Sequence, residues 1–205
     1  MELLIASGNP KKLAEIELYL SGTDVRVLSP ADIGGIPDVE EDGSTFAANA
    51  EKKAVSAATA SGRWALADDS GLEVDHLDGA PGVHSARYAG THGDDDANNR
   101  QLLADLAGLE DPERGARFFC ALALARPDGV IEAHFEGTAL GQILEERRGS
   151  RDFGYDPYFL FTEEGFPQTG RGFAELEPDE KSAVSHRGRA LAALRDYLSS
   201  FTEQA

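Results

Sequence analysis

Positive charge and sulfur are scarce in this sequence. Only 19 lysines and arginines stand against 37 aspartates and glutamates, which gives a formal net charge of -18 and a pI near 4.5. Since nucleic-acid binding needs a positive surface, stable binding of DNA or RNA is not expected. The single cysteine, Cys120, excludes an internal disulfide and a cysteine-based zinc cluster, so a reducing, cytoplasmic environment is expected.

Long apolar runs are also missing. No stretch of eighteen apolar residues occurs in the 205-residue chain, so no membrane-spanning helix is expected. The first residues lack the charged and apolar regions of a signal peptide. Hydrophobic residues make up 41% of the chain, which is ordinary for a globular protein. Length and composition therefore predict a single domain over residues 1–205 with a sizeable core.

The five lysines are confined to three short stretches: Lys11 and Lys12, Lys52 and Lys53, and Lys181. Each stretch lies beside a group of glycine, serine or carboxylate residues. This pattern indicates a ligand with concentrated negative charge, held by a few cations and by a metal on the carboxylates, and favours a phosphorylated substrate. The acid excess itself is equally well explained by a solvated surface in a salty cytoplasm.

Hydrophobic periodicity predicts a mixed α/β fold. Strands are expected at residues 2–6, 25–28, 63–67, 72–74, 116–125 and 130–140, and helices at 11–20, 45–61, 96–106 and 187–201. The last two strands flank a Pro127-Asp-Gly129 turn and are expected to form an antiparallel hairpin. We therefore expect one elongated central mixed sheet with flanking helices, forming two lobes around a substrate cleft.

The first predicted strand ends at Ser7-Gly8-Asn9-Pro10, and a helix follows from Lys11. A glycine loop that connects a strand to a helix can cradle phosphate with its backbone N–H groups. Many α/β proteins have such a loop for packing reasons alone, so this feature by itself leaves both interpretations open.

The helix predicted to follow Ser44 or Thr45 places one lysine on its apolar side. The apolar stripe consists of Phe46, Ala50, Ala54 and Ala57. At roughly 100° per residue, Lys53 lies within this stripe, whereas Lys52 points away from it. A lysine on the buried side needs an anionic partner or an open cleft; the alternative is a side chain that extends from the stripe edge into solvent. Asn49 on the same side favours a ligand contact.

Asp68 and Asp69 are adjacent at the end of a predicted strand. Consecutive strand residues point to opposite faces, so the two carboxylates can share one ligand only if the chain turns there. We expect Ser70-Gly71 to provide that turn. Carboxylate oxygens suit Mg²⁺, and Glu40 and Glu41 could supply further ligands. The alternative is an aspartate pair that only ends the strand.

Six blocks of residues occur in order over nearly the whole chain. They are Ser7-Gly-Asn9 with Lys12 and Glu15; Glu41-Asp-Gly-Ser-Thr-Phe46 with Asn49 and Lys53; Ala67-Asp-Asp-Ser-Gly-Leu72; Gly79-Ala-Pro-Gly82 with Ser85-Ala-Arg-Tyr88; Phe153-Gly-Tyr-Asp-Pro157; and Glu180-Lys181 with Ser185-His-Arg-Gly188. With these blocks the chain closely resembles the inosine triphosphate pyrophosphatase family, also called the non-canonical purine NTP pyrophosphatases.

The resemblance implies Mg²⁺-dependent hydrolysis of ITP, dITP and XTP to the monophosphate and pyrophosphate, in a homodimer. It implies that the triphosphate is contacted by Ser7, Gly8, Asn9, Pro10, Lys11, Lys12 and Lys53. Ser70 would also contact the substrate. The purine would be contacted by the segment of Phe153, Gly154, Tyr155 and Asp156, whose Phe153 stacks on the base, and at its edge by Lys181, His186 and Arg187. It also implies Mg²⁺ ligation by Glu41 and Asp69, with Asp69 as the general base. Arg187 is a pure donor and would suit the 6-keto oxygen.

Two other functions were weighed against the sequence. A phosphohydrolase of the haloacid dehalogenase type needs Asp-x-Asp after its first strand, where this chain has Ser7-Gly8-Asn9. A sensor that binds a purine triphosphate without cleaving it is disfavoured, because every expected catalytic group is present. Two local points stay open: Asp152 stands where the family usually has glycine, and Arg87 with Tyr88 suits a packed ion-pair cluster as well as a substrate contact.

Overall fold

A computed structural model of the chain describes residues 1–110, 113–151 and 153–202, so Asp152 lies outside the described residues. The strands are β1 (Glu2–Ile5), β2 (Arg26–Leu28), β3 (Trp64–Val74), β4 (Gly115–Ala125), β5 (Ile131–Ile143) and β6 (Phe159–Phe161). The helices are α1 (Pro10–Leu20), α2 (Phe46–Ser61), α3 (Asp95–Asp105), α4 (Pro178–Val184) and α5 (His186–Thr202). The predicted mixed α/β class is confirmed.

The strands form one mixed sheet in the order β2-β1-β3-β4-β5-β6. β1 pairs in parallel with both β2 and β3, whereas β5 pairs antiparallel with β6. β4 and β5 are neighbours connected by a short turn, in which the Gly129 N–H donates to the Arg126 carbonyl at 2.8 Å. This connection is the hairpin that the turn residues predicted.

The chain divides into two compact units. The first unit contains Met1–Asp69, Cys120–Gly137 and Arg187–Ala205, and the second contains Ser70–Phe119 and Thr138–His186. The single domain over 1–205 and the substrate cleft stay predictions. None of the helices in the described part of the chain combines the length and the apolar character needed to cross a membrane.

Alternation along the strands sorts the core of the first unit by side-chain size. Its larger residues Leu3, Ile5, Leu66, Cys120, Leu122 and Leu124 pack with Ile16 and Leu20 of α1 and with Ala190, Leu191, Leu194 and Leu198 of α5. Most residues between them are small, namely Ala65, Ala67, Ala121 and Ala123, and they are buried as well. Because successive strand residues alternate, these alanines face the other side of the sheet. Both faces are therefore covered, as apolar runs in central strands predict.

Local signals fix the ends of α2. The Thr45 hydroxyl accepts the Ala48 N–H at 3.1 Å, so Thr45 is the helix cap rather than Ser44. The helix ends at Gly62, whose φ of 63° is the left-handed conformation that glycine adopts at low cost. The apolar stripe that the sequence predicted, Phe46, Ala50, Ala54 and Ala57, is buried throughout.

The second unit has an aromatic core. The ring centroid of Phe159 lies 4.6 Å from that of Phe118 and 4.7 Å from that of Phe173. Leu102 and Leu106, which the helical pattern marked as apolar contacts, are buried in the same core. Aromatic pairs at such distances add to the free energy that burial alone supplies.

The buried guanidinium of Arg114 connects its own segment to the ends of α3 and β5 in the second unit. Its Nε donates to the Ile143 carbonyl at 2.6 Å, Nη1 to the Leu106 carbonyl at 2.9 Å and Nη2 to the Leu144 carbonyl at 3.2 Å. The residue is 2% exposed. Buried carbonyl groups need hydrogen-bond partners. A shorter or apolar side chain in place of Arg114 would remove these hydrogen bonds from the three carbonyls.

We predict that Arg114→Met lowers the free energy of unfolding by about 3 kcal/mol, because several buried backbone carbonyls lose a charged donor. Arg117→Met is the control: Arg117 pairs with Glu73 but its side chain is 50% exposed, and a surface ion pair contributes at most about 1 kcal/mol. Urea unfolding of the two variants and the wild type measures both effects. Equal losses in the two variants would contradict the role given to Arg114.

Candidate functional site

The loop between β1 and α1 is held by its own side chains. Ser7 Oγ accepts the Asn9 N–H at 3.2 Å, and Asn9 Oδ1 accepts the N–H groups of Lys11 and Lys12 at 2.9 and 3.2 Å. A Cβ added at Gly8 would meet nothing within 4 Å, so the loop is open on that side. For these N–H groups to hold phosphate, an anion would have to replace the Asn9 carboxamide.

β3 carries both aspartates and runs unbroken through them. The turn predicted at Ser70-Gly71 is therefore wrong: the strand continues from Trp64 to Val74. The strand continues because the residues beyond the glycine alternate in burial: Leu72 and Val74 lie in the core of the second unit, with the half-buried Glu73 between them. Burying them favours an extended chain. Asp68 and Asp69 consequently point to opposite faces of the sheet.

Asp68 lies in a buried charge network on the face that it shares with Cys120. It pairs with the Lys12 ammonium group, and its Oδ2 accepts from Arg187 Nε at 2.8 Å and from Cys120 Sγ at 3.2 Å. Arg187 Nη1 also pairs with Glu15. The sequence pattern indicated none of these partners for Asp68, although the parity of Asp68 with Leu66 would have placed it on this face.

Both members of the Asp68–Arg187 pair are enclosed, with side chains 0% and 2% exposed. Burial alone would raise the pKa of Asp68, but the Arg187 guanidinium and the Lys12 ammonium outweigh it and hold the pKa well below its usual range. Burial raises the pKa of the Cys120 thiol, and the Asp68 carboxylate raises it further. The carboxylate is therefore charged, and the thiol keeps the proton that it donates.

Asp69 belongs to what we call the Lys53 cluster: Lys53, Glu41 and Asp69. Lys53 Nζ lies 3.1 Å from Asp69 Oδ1 and 3.1 Å from Glu41 Oε1, and it donates to the Asp68 carbonyl at 2.9 Å. The prediction that Lys53 lies on the buried side of α2 is confirmed, since its side chain is 14% exposed. Lys52 points away, as predicted, and its side chain is 45% exposed.

The charges of the Lys53 cluster depend on one another. Burial would lower the pKa of Lys53, but Asp69 and Glu41 outweigh it and raise the pKa. Burial raises the pKa of Asp69, against the opposing effect of Lys53 and Lys12. A carboxylate with a raised proton affinity, held beside a cation, has the properties of a proton acceptor.

Asn49 orients the second oxygen of Asp69. Its Nδ2 donates to Asp69 Oδ2 at 3.1 Å, and its own Oδ1 accepts the Gly43 N–H at 2.8 Å. A Cβ at Gly43 would lie 2.6 Å from Asn49 Oδ1, so only glycine fits there without displacing the amide. The sequence placed Asn49 on the correct side of α2 but did not reveal this contact.

The donor set around Lys53 suits a hard divalent cation. Within the described residues there is no group of three or more histidine, cysteine or acidic side chains that could hold a metal. Mg²⁺, however, needs only one or two protein carboxylates and takes its remaining ligands from water and substrate phosphates. Glu41 and Asp69 already converge on one positive group. Glu40 is exposed, whereas Glu41 is half-buried, which favours Glu41 of the two candidates.

The second unit brings together most of the residues that the resemblance assigns to the base. Lys181 Nζ lies 5.0 Å from the Phe153 ring centroid and pairs with Asp156 at 2.5 Å. The His186 ring stacks on Phe118 with centroids 4.7 Å apart. A half-buried ring beside an ammonium group offers a surface on which another flat ring can stack.

Three further candidates lie in the second unit, and one does not. Ser70 is half-buried on β3, and Tyr155 is buried with its hydroxyl donating to the Ser85 carbonyl at 2.8 Å. Gly154 has a left-handed φ of 53°. Arg187, which the resemblance assigns to the base edge, lies in the first unit and pairs there with Asp68; sequence reasoning missed this structural role.

The chain is similar to known proteins over nearly its whole length. A model of the Ham1 family matches residues 3–197. The dITP/XTP pyrophosphatase of Geobacter sulfurreducens is 50% identical over 196 residues, which are 96% of either chain. A HAM1 protein from Coxiella burnetii superposes with a TM-score of 0.86 at 40% identity, covering 98% of this chain and 99% of that one. A nucleoside-triphosphatase / dITP/XTP pyrophosphatase from Mycobacterium abscessus gives a TM-score of 0.74 at 47% identity, with 95% and 98% covered.

We predict that Asp68→Asn lowers the free energy of unfolding at neutral pH by about 3–5 kcal/mol, because Lys12 and the buried Arg187 guanidinium lose the carboxylate that they share and Arg187 keeps only Glu15. The folded-state pKa of Asp68 is depressed, so its contribution is present above the unfolded pKa of about 3.9 and is lost as the pH falls towards the folded value. The difference between wild type and variant should therefore narrow on going from about pH 7 to about pH 3.5 in urea unfolding experiments.

Asp42→Asn is the matched control for this substitution. Asp42 pairs with Lys52, but both side chains are about half exposed, at 56% and 45%. Its loss should lower the free energy of unfolding far less than the loss of Asp68, because exposed ion pairs contribute little. A comparable loss in the two variants would argue against a buried network at Asp68.

Proposed function

The chain belongs to the Ham1 family, and from that premise we propose that it hydrolyses the non-canonical purine nucleoside triphosphates ITP, dITP and XTP to the nucleoside monophosphate and pyrophosphate. The family model matches residues 3–197. The curated relatives that carry the name dITP/XTP pyrophosphatase include one from Anaeromyxobacter dehalogenans, 46% identical with all of both chains covered. Because the alignment covers the full length of both chains, the activity in the name of this relative supports the same activity for this chain.

The observation that carries the proposal is the convergence of Glu41 and Asp69 on Lys53 Nζ, each at 3.1 Å. Hydrolysis of a phosphoanhydride develops negative charge on phosphate oxygens, and cations placed beforehand stabilise it. Lys53 and Lys12 would supply that charge in the first unit. Glu41 and Asp69 raise the pKa of Lys53, and the Asp68 carboxylate holds the Lys12 ammonium group in place.

Asp69 would act as the general base of the reaction. The oxygen of a water molecule forms a bond to the α-phosphorus, the bond from that phosphorus to the bridging oxygen breaks, and pyrophosphate leaves. The water proton passes to a base, and a buried carboxylate with a raised pKa suits that role. The Asn49 amide donates to Asp69 Oδ2 at 3.1 Å, and this hydrogen bond fixes the orientation of the carboxylate.

We propose Mg²⁺ as the cofactor, and Glu41 and Asp69 are the residues that would hold it. When bound, such an ion supplies positive charge to phosphate oxygens. In the second unit, Phe153 would stack on the purine, and Lys181 and His186 would contact its edge. The assignment of Arg187 to the base edge stays a prediction, since its guanidinium pairs with Asp68 at 2.8 Å.

The proposal extends to the setting of the enzyme. Removal of deaminated purine triphosphates would cleanse the nucleotide pool of precursors that would otherwise enter nucleic acids. We propose a cytoplasmic homodimer without stable nucleic-acid binding. The net charge of -18 supports the last point, because a polyanion would be repelled at long range.

We predict that the wild type releases pyrophosphate from dITP and XTP in the presence of Mg²⁺ and is far less active on ATP and GTP. The assay measures pyrophosphate and orthophosphate separately in a panel of ITP, dITP, XTP, GTP and ATP. Asp69→Asn should abolish turnover but leave nucleotide binding measurable, since it removes the base while keeping the shape of the side chain. Release of orthophosphate would indicate a different phosphohydrolase, and binding without turnover would indicate a sensor.

We also predict that Lys53→Met lowers kcat/KM for dITP by on the order of 100-fold, because a preorganised charge near the reacting phosphates is lost. The neighbouring lysine provides the control. Lys52 is exposed and pairs with Asp42, so Lys52→Met should change kcat/KM by about twofold or less. Steady-state kinetics on both variants, with unfolding curves to confirm the native fold, measures the contrast; equal effects would exclude a specific role for Lys53.

A further inference from the structure

Two side chains of helix α3 hold the backbone N–H and the backbone carbonyl of Gly154. The Gly154 N–H donates to Asp95 Oδ2 at 2.9 Å, and the Gly154 carbonyl accepts from Asn99 Nδ2 at 2.9 Å. Asp95 and Asn99 are four residues apart and so lie on the same face of the helix. The sequence analysis singled out neither residue, because both lie in a run of acidic and amide residues.

The capping of α3 does not require Asp95. The side chain that caps the helix is that of Asp94, whose Oδ1 accepts the Ala97 N–H at 2.9 Å. Asp95 is half-buried, whereas Asp94 and Asp96 on either side are exposed. The contact with Gly154 therefore distinguishes Asp95 from its acidic neighbours.

The amide of Asn99 has only one orientation that satisfies its surroundings. Its Nδ2 donates to the carbonyls of both Asp95 and Gly154, each at 2.9 Å. Rotation of the amide by 180° would place Oδ1 against two carbonyl oxygens, which repel it. Asn99 is 6% exposed, and in the described residues its Oδ1 has no hydrogen-bond partner. The side chain thus leaves a buried acceptor unsatisfied in order to make the two donor contacts.

Gly154 is the first central residue of a tight turn that starts at Phe153. The Asp156 N–H donates to the Phe153 carbonyl at 3.0 Å. The φ of 53° at Gly154, with φ of -92° and ψ of 1° at Tyr155, fits a type II′ turn, which favours glycine at this position. A Cβ at Gly154 would meet nothing within 4 Å, so the backbone angle and not crowding requires glycine.

The other end of the turn is anchored as well. Tyr155 is buried and donates to Ser85, and Asp156 is buried and pairs with Lys181. With Tyr155 and Asp156 fixed, the direction of the half-buried Phe153 ring depends on the two peptides that flank Gly154, whose N–H and carbonyl are held by α3.

We propose that Asp95 and Asn99 are positioning residues that hold the Gly154 backbone and thereby fix the orientation of the Phe153 ring for stacking on the purine. The stacking part of this inference rests on the proposed function. They act through the turn and do not themselves contact the substrate. Their effect is on recognition of the base and not on the phosphate groups.

The test uses a matched pair of substitutions on α3. Asn99→Asp keeps the shape of the side chain but replaces the donor by a carboxylate that faces two carbonyl oxygens. Gln101→Glu makes the same change of charge at an exposed site on the same helix, where Gln101 contacts Asp105. Asp95→Ala, at a half-buried position, removes only the acceptor of the Gly154 N–H and provides a second variant if Asn99→Asp does not fold.

Hydrogen exchange without nucleotide is the first measurement. Exchange of the 153–156 segment should be at least about tenfold faster in Asn99→Asp than in the wild type, because a lost pair of hydrogen bonds lowers the local opening free energy. Gln101→Glu should match the wild type. Unchanged exchange in both Asn99→Asp and Asp95→Ala would overturn the proposed contact, whether or not the enzyme hydrolyses dITP.

Kinetics are the second measurement. Asn99→Asp should raise the KM for dITP by about tenfold, whereas inhibition by inorganic tripolyphosphate, which has no base, should keep the wild-type Ki. Combined with Phe153→Leu, the effect on KM should be less than the product of the two single effects, since both act on one ring. Equal changes in KM and Ki, or independent effects in the double variant, would overturn the positioning role. Failure of the wild type to hydrolyse dITP would instead refute the proposed function.

Discussion

The buried carboxylate of Asp68 is the group on which the charged interior of the first unit depends. It pairs with both Arg187 and Lys12 and accepts a hydrogen bond from Cys120. An isolated guanidinium could not be enclosed to 2% exposure, because the loss of its hydration would not be compensated. Asp68 therefore fixes where α1 and α5 meet the sheet, and with them the position of the Lys12 ammonium group.

The two lysines that the proposed function assigns to the reacting phosphates are already matched to carboxylates: Lys12 to Asp68, and Lys53 to Glu41 and Asp69. Acidic partners hold these cations in place, and they raise the pKa of Lys53, in a chain whose overall charge opposes anions. Under the proposed function, a substrate phosphate would have to compete with those carboxylates for the same donors. The proposal therefore favours a ligand of concentrated charge, such as a triphosphate, over a single weak anion.

Much of the fold could be predicted because its signals are local. Cap residues and periodicity placed α2 within one residue of its observed start, and they placed Lys53 on the buried side. The failure at Ser70-Gly71 has a physical cause. Small polar residues and glycine favour a turn in isolation, but β3 gains more by extending past them to bury Val74 in the second unit. That gain comes from residues distant in sequence.

The sequence alone determined which side of α2 each lysine occupies, since the 100° step separates Lys53 from Lys52. The placement of Asp68 and Asp69 on opposite faces followed only from the structure, in which β3 continues through Ser70-Gly71. The sequence also carried the family resemblance, because motif blocks are preserved as linear strings. Only the tertiary structure decided the partners: Arg187 for Asp68, Asn49 for Asp69, and Asp95 with Asn99 for Gly154. Such contacts join residues far apart in the chain, and their geometry is set by packing, which no local pattern of residues encodes.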